Sequence, residues 1–416
     1  MQVLITVQPY HGHLASILPA ARVLMAAGHY VLVATQTAFV PFASGAGMKS
    51  IATSDDALKL GNWNEGAIRV KVHDVLASLD QSGFRPDLII REIADFSGIV
   101  IAELLGVPFV TMGMGLHIDP TWWRRLLKGG LDRVRADYGL ESDAELAHLR
   151  SAPYFDLTPS WFQLPSDASP PNYYRFKVLP EPAALCSLPR WLPNLEDKPT
   201  IYISLGTVYS DVPLLRRLVR FAASRSRNVI CTVGPGRDPE DILSLDLPSV
   251  FVEQYIPYSA ILDICDVTLI HGGYNTTLGS LTAGIPPLLT PLGSDQFANA
   301  RRCVELGIGL RFRKEQITRR LVNENLEMLL APNPFRERLS GLLRNDVDVP
   351  VIDQAVRILE RIGRPTAVQV SMRRKGCREC VQPDLPVRAD TVVASSSGSG
   401  TEGDSNGPES ISIHEP

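Results

Sequence analysis

Short, unbroken apolar runs alternate with amphipathic stretches along this chain, and the alternation happens twice. In the first part, Val3–Val7, Tyr30–Ala34, Asp87–Ile90 and Val107–Thr111 are strand candidates. Helix candidates fall between them, at Ile17–Ala27 with a stop at Gly28 and at about 96–105 with a stop at Gly106. Strands that lack polar alternation need cover on both faces, which a parallel sheet flanked by helices supplies. Pro189, Pro193 and Pro199 then interrupt the chain. The pattern restarts with Ile201–Ser204, Val229–Val233, Val250–Val252, Val267–Ile270 and Pro287–Thr290. Helices are predicted near 213–224, 258–264, 276–283, 296–306 and 351–362. The expected fold is α/β, with two Rossmann-like doubly wound domains, 1–190 and 191–363, facing a central cleft. Ligands of such sheets lie beyond the carboxyl ends of the strands. Residues 112–196 are less regular, and the Ser/Gly-rich end, 364–416, reads as a disordered tail.

Composition removes several function classes. The 416 residues suit two or three domains at roughly 150 residues each. Lys and Arg total 41 against 45 Asp and Glu, so the basic surplus that phosphate backbones demand is missing and no nucleic-acid partner is expected. No apolar run reaches the ~20 residues that span a bilayer. The start, Met1–Val7, is too short for a signal-peptide core and reads as the first strand. The six cysteines are scattered, and four of them sit in apolar or mixed segments and read as reduced, buried thiols, hence a cytoplasmic expectation. Cys377 and Cys380 have zinc-like spacing without a second pair, and Asp346-Val-Asp348 lies late in the chain, so no metal site is expected.

Two motifs carry chemistry. His271-Gly-Gly-Tyr-Asn-Thr-Thr-Leu-Gly-Ser280 follows the strand Val267–Ile270 directly. Gly272 and Gly273 let the backbone approach a ligand, Asn275 and Thr276 are capping residues for the next helix, and that helix start favours a phosphate. Local physics equally allows a plain strand–turn–helix with His271 packed in the turn. Gly12-His13 follows the first strand, where a neutral imidazole at a cleft mouth can take a proton from an alcohol. A histidine there also serves simply as a turn residue, and His11 is the runner-up.

Together with Gln254-Tyr-Ile-Pro-Tyr258, Gly284-Ile-Pro286 and Gly293–Ala300, the block from His271 resembles the nucleotide-sugar signature of the UDP-glycosyltransferase superfamily. These are GT-B-fold enzymes that glycosylate small molecules, and the likeness is nearest to the bacterial natural-product, macrolide-type branch. It runs from about residue 1 to 362. The resemblance implies inverting, metal-independent transfer from a UDP- or dTDP-sugar to a hydroxyl of a small hydrophobic acceptor, with no cofactor besides the donor substrate. It implies that Tyr255 stacks on the base, where a Trp is usual, and that the Ile256 backbone bonds the pyrimidine. His271, Gly272, Gly273, Asn275, Thr276 and Thr207 would hold the diphosphate, and Asp295 and Gln296 the sugar hydroxyls. His13 would be the general base with Glu92 behind it and Asp95 as second choice; alternatively Arg91–Glu92 is a solvated pair at a strand end. The ribose-binding Glu of the family is Gly279 here, which tilts the donor toward a dTDP-sugar. Trp122–Arg125 would line the acceptor pocket, and residues 47–86 are shorter than the family norm. A homodimer is compatible with the resemblance. The rival readings are a lipid-linked sugar transferase, a sugar-nucleotide epimerase, and a catalytically silent nucleotide-binding partner protein.

Overall fold

The computed structural model describes residues 1–55, 64–118, 120–164, 172–178, 189–208, 211–332, 334–344 and 349–364. The predicted tail from 365, Asp346, Asp348, Cys377 and Cys380 lie outside the described residues.

Two parallel sheets organise the chain. The first contains β1 (Gln2–Thr6), β2 (Tyr30–Gln36), β3 (Lys49–Thr53), β4 (Leu88–Glu92), β5 (Phe109–Gly113), β6 (Tyr154–Asp156) and β7 (Tyr173–Arg175). Their order is β3-β2-β1-β4-β5-β6-β7. The second contains β8 (Thr200–Ser204), β9 (Asn228–Thr232), β10 (Val250–Glu253), β11 (Val267–Ile270), β12 (Pro287–Leu289) and β13 (Leu310–Arg311), in the order β10-β9-β8-β11-β12-β13. The central strands are buried on both faces: Val3, Leu4 and Ile5 of β1 belong to cores on opposite sides of the sheet. This is the cover that continuous apolar strands require.

Strand order positions the chemistry. In the first sheet the direction of winding reverses between β1 and β4, and in the second between β8 and β11. A crevice opens beyond the carboxyl ends of the strands at such a reversal. His13 follows β1 and Glu92 ends β4, while Thr207 follows β8 and His271 follows β11. All four residues therefore sit at switch points.

Several elements lie beyond the strand and helix candidates of the sequence. The longest is the helix Glu65–Ser82. Asn64 accepts from the Gly66 N–H at 2.7 Å to cap its start, and left-handed Gly83 closes it. Ile68, Val72, Val75 and Leu79 form its buried stripe. The helix Ala355–Gly363 lies within 191–363 in sequence, yet Ile352, Ala355 and Leu359 pack into the core of the first sheet. A backbone bridge from Lys177 to Val351 and a contact of 3.1 Å between His29 Nε2 and Glu360 Oε1 hold it there. Among the described residues no helix is long and apolar enough to cross a membrane.

Candidate active site

The helix His11–Ala26 starts directly beyond β1 and carries His13 in its first turn. His13 Nδ1 stands 3.0 Å from Glu92 Oε2, an ion-pair contact rather than an aligned hydrogen bond. Glu92 is fully buried, and its other oxygen accepts from the Ala94 N–H at 3.0 Å. Backbone thus holds one carboxylate oxygen while the other faces the imidazole. The alternative of a solvated Arg91–Glu92 pair fails, because neither residue reaches water. Successive strand residues point to opposite faces. Arg91 Nε donates to Asp95 O at 2.9 Å, Nη1 to Thr111 Oγ1 at 3.0 Å, and Nη2 to Ile93 O. Burial lowers the Arg91 pKa to about 10, so the guanidinium stays charged. Asp95 is taken up by Lys71 and by Ser97, whose N–H donates to it at 3.1 Å. His11 turns aside and packs edge-on against Phe39 and Phe42 at 5.3 and 5.1 Å.

On the facing half, left-handed Gly272 (φ +91°) makes the turn, and the helix Tyr274–Thr282 begins with Gly273 as its N-cap. Neither Asn275 nor Thr276 caps it: both lie inside its first turn, because the helix starts two residues before the predicted 276. The N-cap residue Gly273 supplies no side-chain cap, and the Tyr274 N–H at the helix start faces the Asp295 carboxylate instead. His271 is buried, and desolvation lowers its pKa to about 4, so its imidazole is neutral. Thr207 is half-buried beside Gly206, against which the His271 ring packs closely.

Asp295 accepts from Asn299 Nδ2 at 2.9 Å. Burial pushes the Asp295 carboxyl up, while Asn299, His13 and the Tyr274 N–H pull the other way. Gln296 is committed differently from the sequence expectation: its Oε1 closes the local turn by accepting from the N–H groups of Leu292 (2.8 Å) and Gly293 (3.2 Å). Tyr255 stands exposed in the loop after β10, and the Ile256 side chain is buried in the core of the second half.

The two faces meet. Asn275 Nδ2 donates to Gly12 O at 2.7 Å, and Tyr274 Oη lies 3.0 Å from Thr158 Oγ1. Burial alone would lower the His13 pKa, but Glu92, Asp295 and Asp95 outweigh it, so the net shift is upward. One of those three carboxylates belongs to the opposite half.

Residues 220–362 match the family described as erythromycin biosynthesis protein CIII-like, C-terminal domain. The chain is 28% identical to an L-demethylnoviosyl transferase of Streptomyces niveus, over 81% of this chain and 91% of that protein. It is 23% identical to the oleandomycin glycosyltransferase of Streptomyces antibioticus, over 91% and 89%. Its fold superposes on the spinosyn forosaminyltransferase SpnP with a TM-score of 0.73 at 26% identity, covering 87% of this chain and 99% of that one. The chain is a glycosyltransferase with the GT-B fold, similar to enzymes of bacterial natural-product biosynthesis.

Some of the residues that shape this glycosyltransferase's cleft carry little signal in the sequence. Lys71 is the least legible, since a lysine on an amphipathic helix normally faces water. Here its ammonium donates to Val7 O at 2.6 Å and pairs with Asp95. Arg302 donates to the carbonyls of Phe162 (2.9 Å), Trp161 (3.0 Å) and Gln163 (2.8 Å), fastening the segment after β6 to the second half. Trp123 is buried against Phe96 at 5.1 Å, so this ring is core rather than pocket wall. Among the described residues, no group of three or more His, Cys, Asp or Glu is placed to hold a metal ion.

Proposed function

We propose that this glycosyltransferase moves a sugar from a nucleoside-diphosphate donor to a hydroxyl of a small hydrophobic acceptor, with inversion and without a metal. The acceptor class follows that of the relatives, an oleandomycin and a spinosyn enzyme among them. The observation that carries the mechanism is the His13–Glu92 pair at 3.0 Å, with Asp295 and the His271 turn across the cleft. The Nδ1 side of the ring faces Glu92, so Nε2 takes the acceptor proton. The acceptor oxygen bonds to the anomeric carbon as the bond from that carbon to the diphosphate breaks. Glu92 stabilises the imidazolium that forms, and the proton stays on His13 until product leaves.

The leaving diphosphate collects negative charge. The N–H groups of Asn275 and Thr276 at the start of Tyr274–Thr282 and the Thr207 hydroxyl are the donors for it, while buried His271, whose one N–H faces the Ser204 backbone, shapes the turn that presents them. Asp295 takes the sugar hydroxyls, Gln296 shapes the loop that presents it, and the Tyr255 ring receives the base. A dTDP-sugar fits better than a UDP-sugar because no carboxylate stands at Gly279 to grip a 2′-hydroxyl.

The deciding experiment is His13→Ala. Turnover of dTDP-sugar should fall by about 10²-fold or more, while dTDP affinity by calorimetry stays within a few-fold. A near-normal rate removes His13 as the base, and the mechanism with it.

A further inference from the structure

We propose that Asn275 is a positioning residue for His13: its side-chain amide, donating across the cleft to Gly12 O, fixes the first turn of the base's helix against the turn that begins at His271. The inference rests on the reading of His13 as base. Asn275 is the second residue of Tyr274–Thr282, and Gly12 the second residue of His11–Ala26. The hydrogen bond is 2.7 Å and reaches the peptide adjoining His13. On its own side that turn is braced by Ser16 Oγ, which donates to His13 O at 2.7 Å.

The bond matters because of what travels with each half. The groups that act on His13 are Glu92 and Asp95 from its own half, the Tyr10 ring at 5.4 Å, and Asp295 from the other. Lys71 partners Asp95. The separation of His13 from Glu92 and Asp95 is set within the first sheet. Its separation from Asp295 is set by how the halves meet, and Asp295 is held to the start of the Asn275 helix through the Tyr274 N–H. Asn275 therefore controls the one carboxylate whose distance from the base can change. Tyr274 Oη on Thr158 also joins the halves, but it does not touch the turn that carries His13.

The test reads the imidazole directly. Full-length protein with labelled histidine rings is titrated by NMR, with His13 assigned from the spectrum of His13→Gln. In Asn275→Ala and Asn275→Ser, neither of which can span to Gly12 O, His13 should titrate at lower pH than in the parent chain. In Thr158→Ala it should titrate as in the parent. An unchanged His13 titration in the Asn275 variants overturns the proposal. So does an equal shift in Thr158→Ala, which would mean general loosening of the interface. Loss of dTDP binding without a titration shift also overturns it, making Asn275 a donor ligand only. If the parent chain binds no nucleotide, the functional reading falls, while the titration still decides whether the tether exists.

Discussion

In the proposed mechanism Glu92 is the carboxylate behind the base. A fully buried carboxylate is costly unless it is bonded on every side. Here the Ala94 N–H donates to one oxygen, and the other stands in ion-pair contact with His13 at 3.0 Å. Replacing it with Gln removes the charge while keeping the shape. Burial, the one influence that lowers the His13 pKa, then meets less opposition, so the pKa should fall. The sign for activity follows: a base works only when neutral, and the parent's rate should therefore fall with acidity at a pH above the ordinary 6.5 of histidine. In Glu92→Gln that acidic limb should move to lower pH, and the plateau rate should drop by about 10²-fold because nothing stabilises the imidazolium. A pH profile of kcat/KM checks both, and an unmoved limb would separate Glu92 from the base. The place of His13 just beyond the first strand is legible in the sequence, but a histidine there also serves as a turn residue, and only the family resemblance singles it out as a base. The burial of Glu92 is not legible, since Arg-Glu at a strand end looks solvated. Only the fold supplies the Ile93 and Asp95 carbonyls that let Arg91 stay inside.

At the level of elements, the helix Tyr274–Thr282 shows how a gap in a motif is filled. A Cβ added to Gly279 would lie 2.9 Å from Tyr258 Cε1 and 3.0 Å from its Cδ1. The Tyr258 ring thus occupies the space that a side chain at 279 would enter, and it packs at 5.2 Å against Tyr202. Gly to Ala inside a helix ordinarily gains about 1 kcal/mol. Displacing a packed ring costs about 1–3 kcal/mol. Gly279→Ala should therefore destabilise the protein by roughly 1 kcal/mol in urea unfolding, against the usual sign. A more stable variant would show that Tyr258 swings aside freely. The elements themselves were legible where strands are wholly apolar, as from Val267 to Ile270. They were obscure where three-residue strands at or next to the sheet edge carry polar or aromatic residues, as in Tyr154–Asp156 and Tyr173–Arg175. The helix Glu65–Ser82 carried a readable stripe and cap, but its buried face includes Lys71, which breaks the apolar pattern.

Across the whole molecule, the chain closes on itself. After building the second sheet it returns to the first, where Ile352, Ala355 and Leu359 are buried with Val3, Ile5 and Leu88. Sequence order hides this, because an amphipathic helix advertises an apolar stripe without naming the surface it covers. The consequence is that the first half lacks part of its core until the last described helix has been made. A chain ended at residue 350 should lose that cover, while a chain ended at Arg364 keeps every described residue and serves as the reference. Burying a large aliphatic side chain is worth about 1.5–3 kcal/mol, so losing Ile352 and Leu359 alone should cost roughly 4 kcal/mol. Thermal unfolding of the shorter chain should begin several degrees earlier, with added binding of a hydrophobic dye to the uncovered face of the first sheet. Nucleotide affinity should change less than the melting of the first half, since the buried side chains of this helix belong to the core of the first sheet. Equal melting of the two chains would mean that the first sheet is complete without its returning helix.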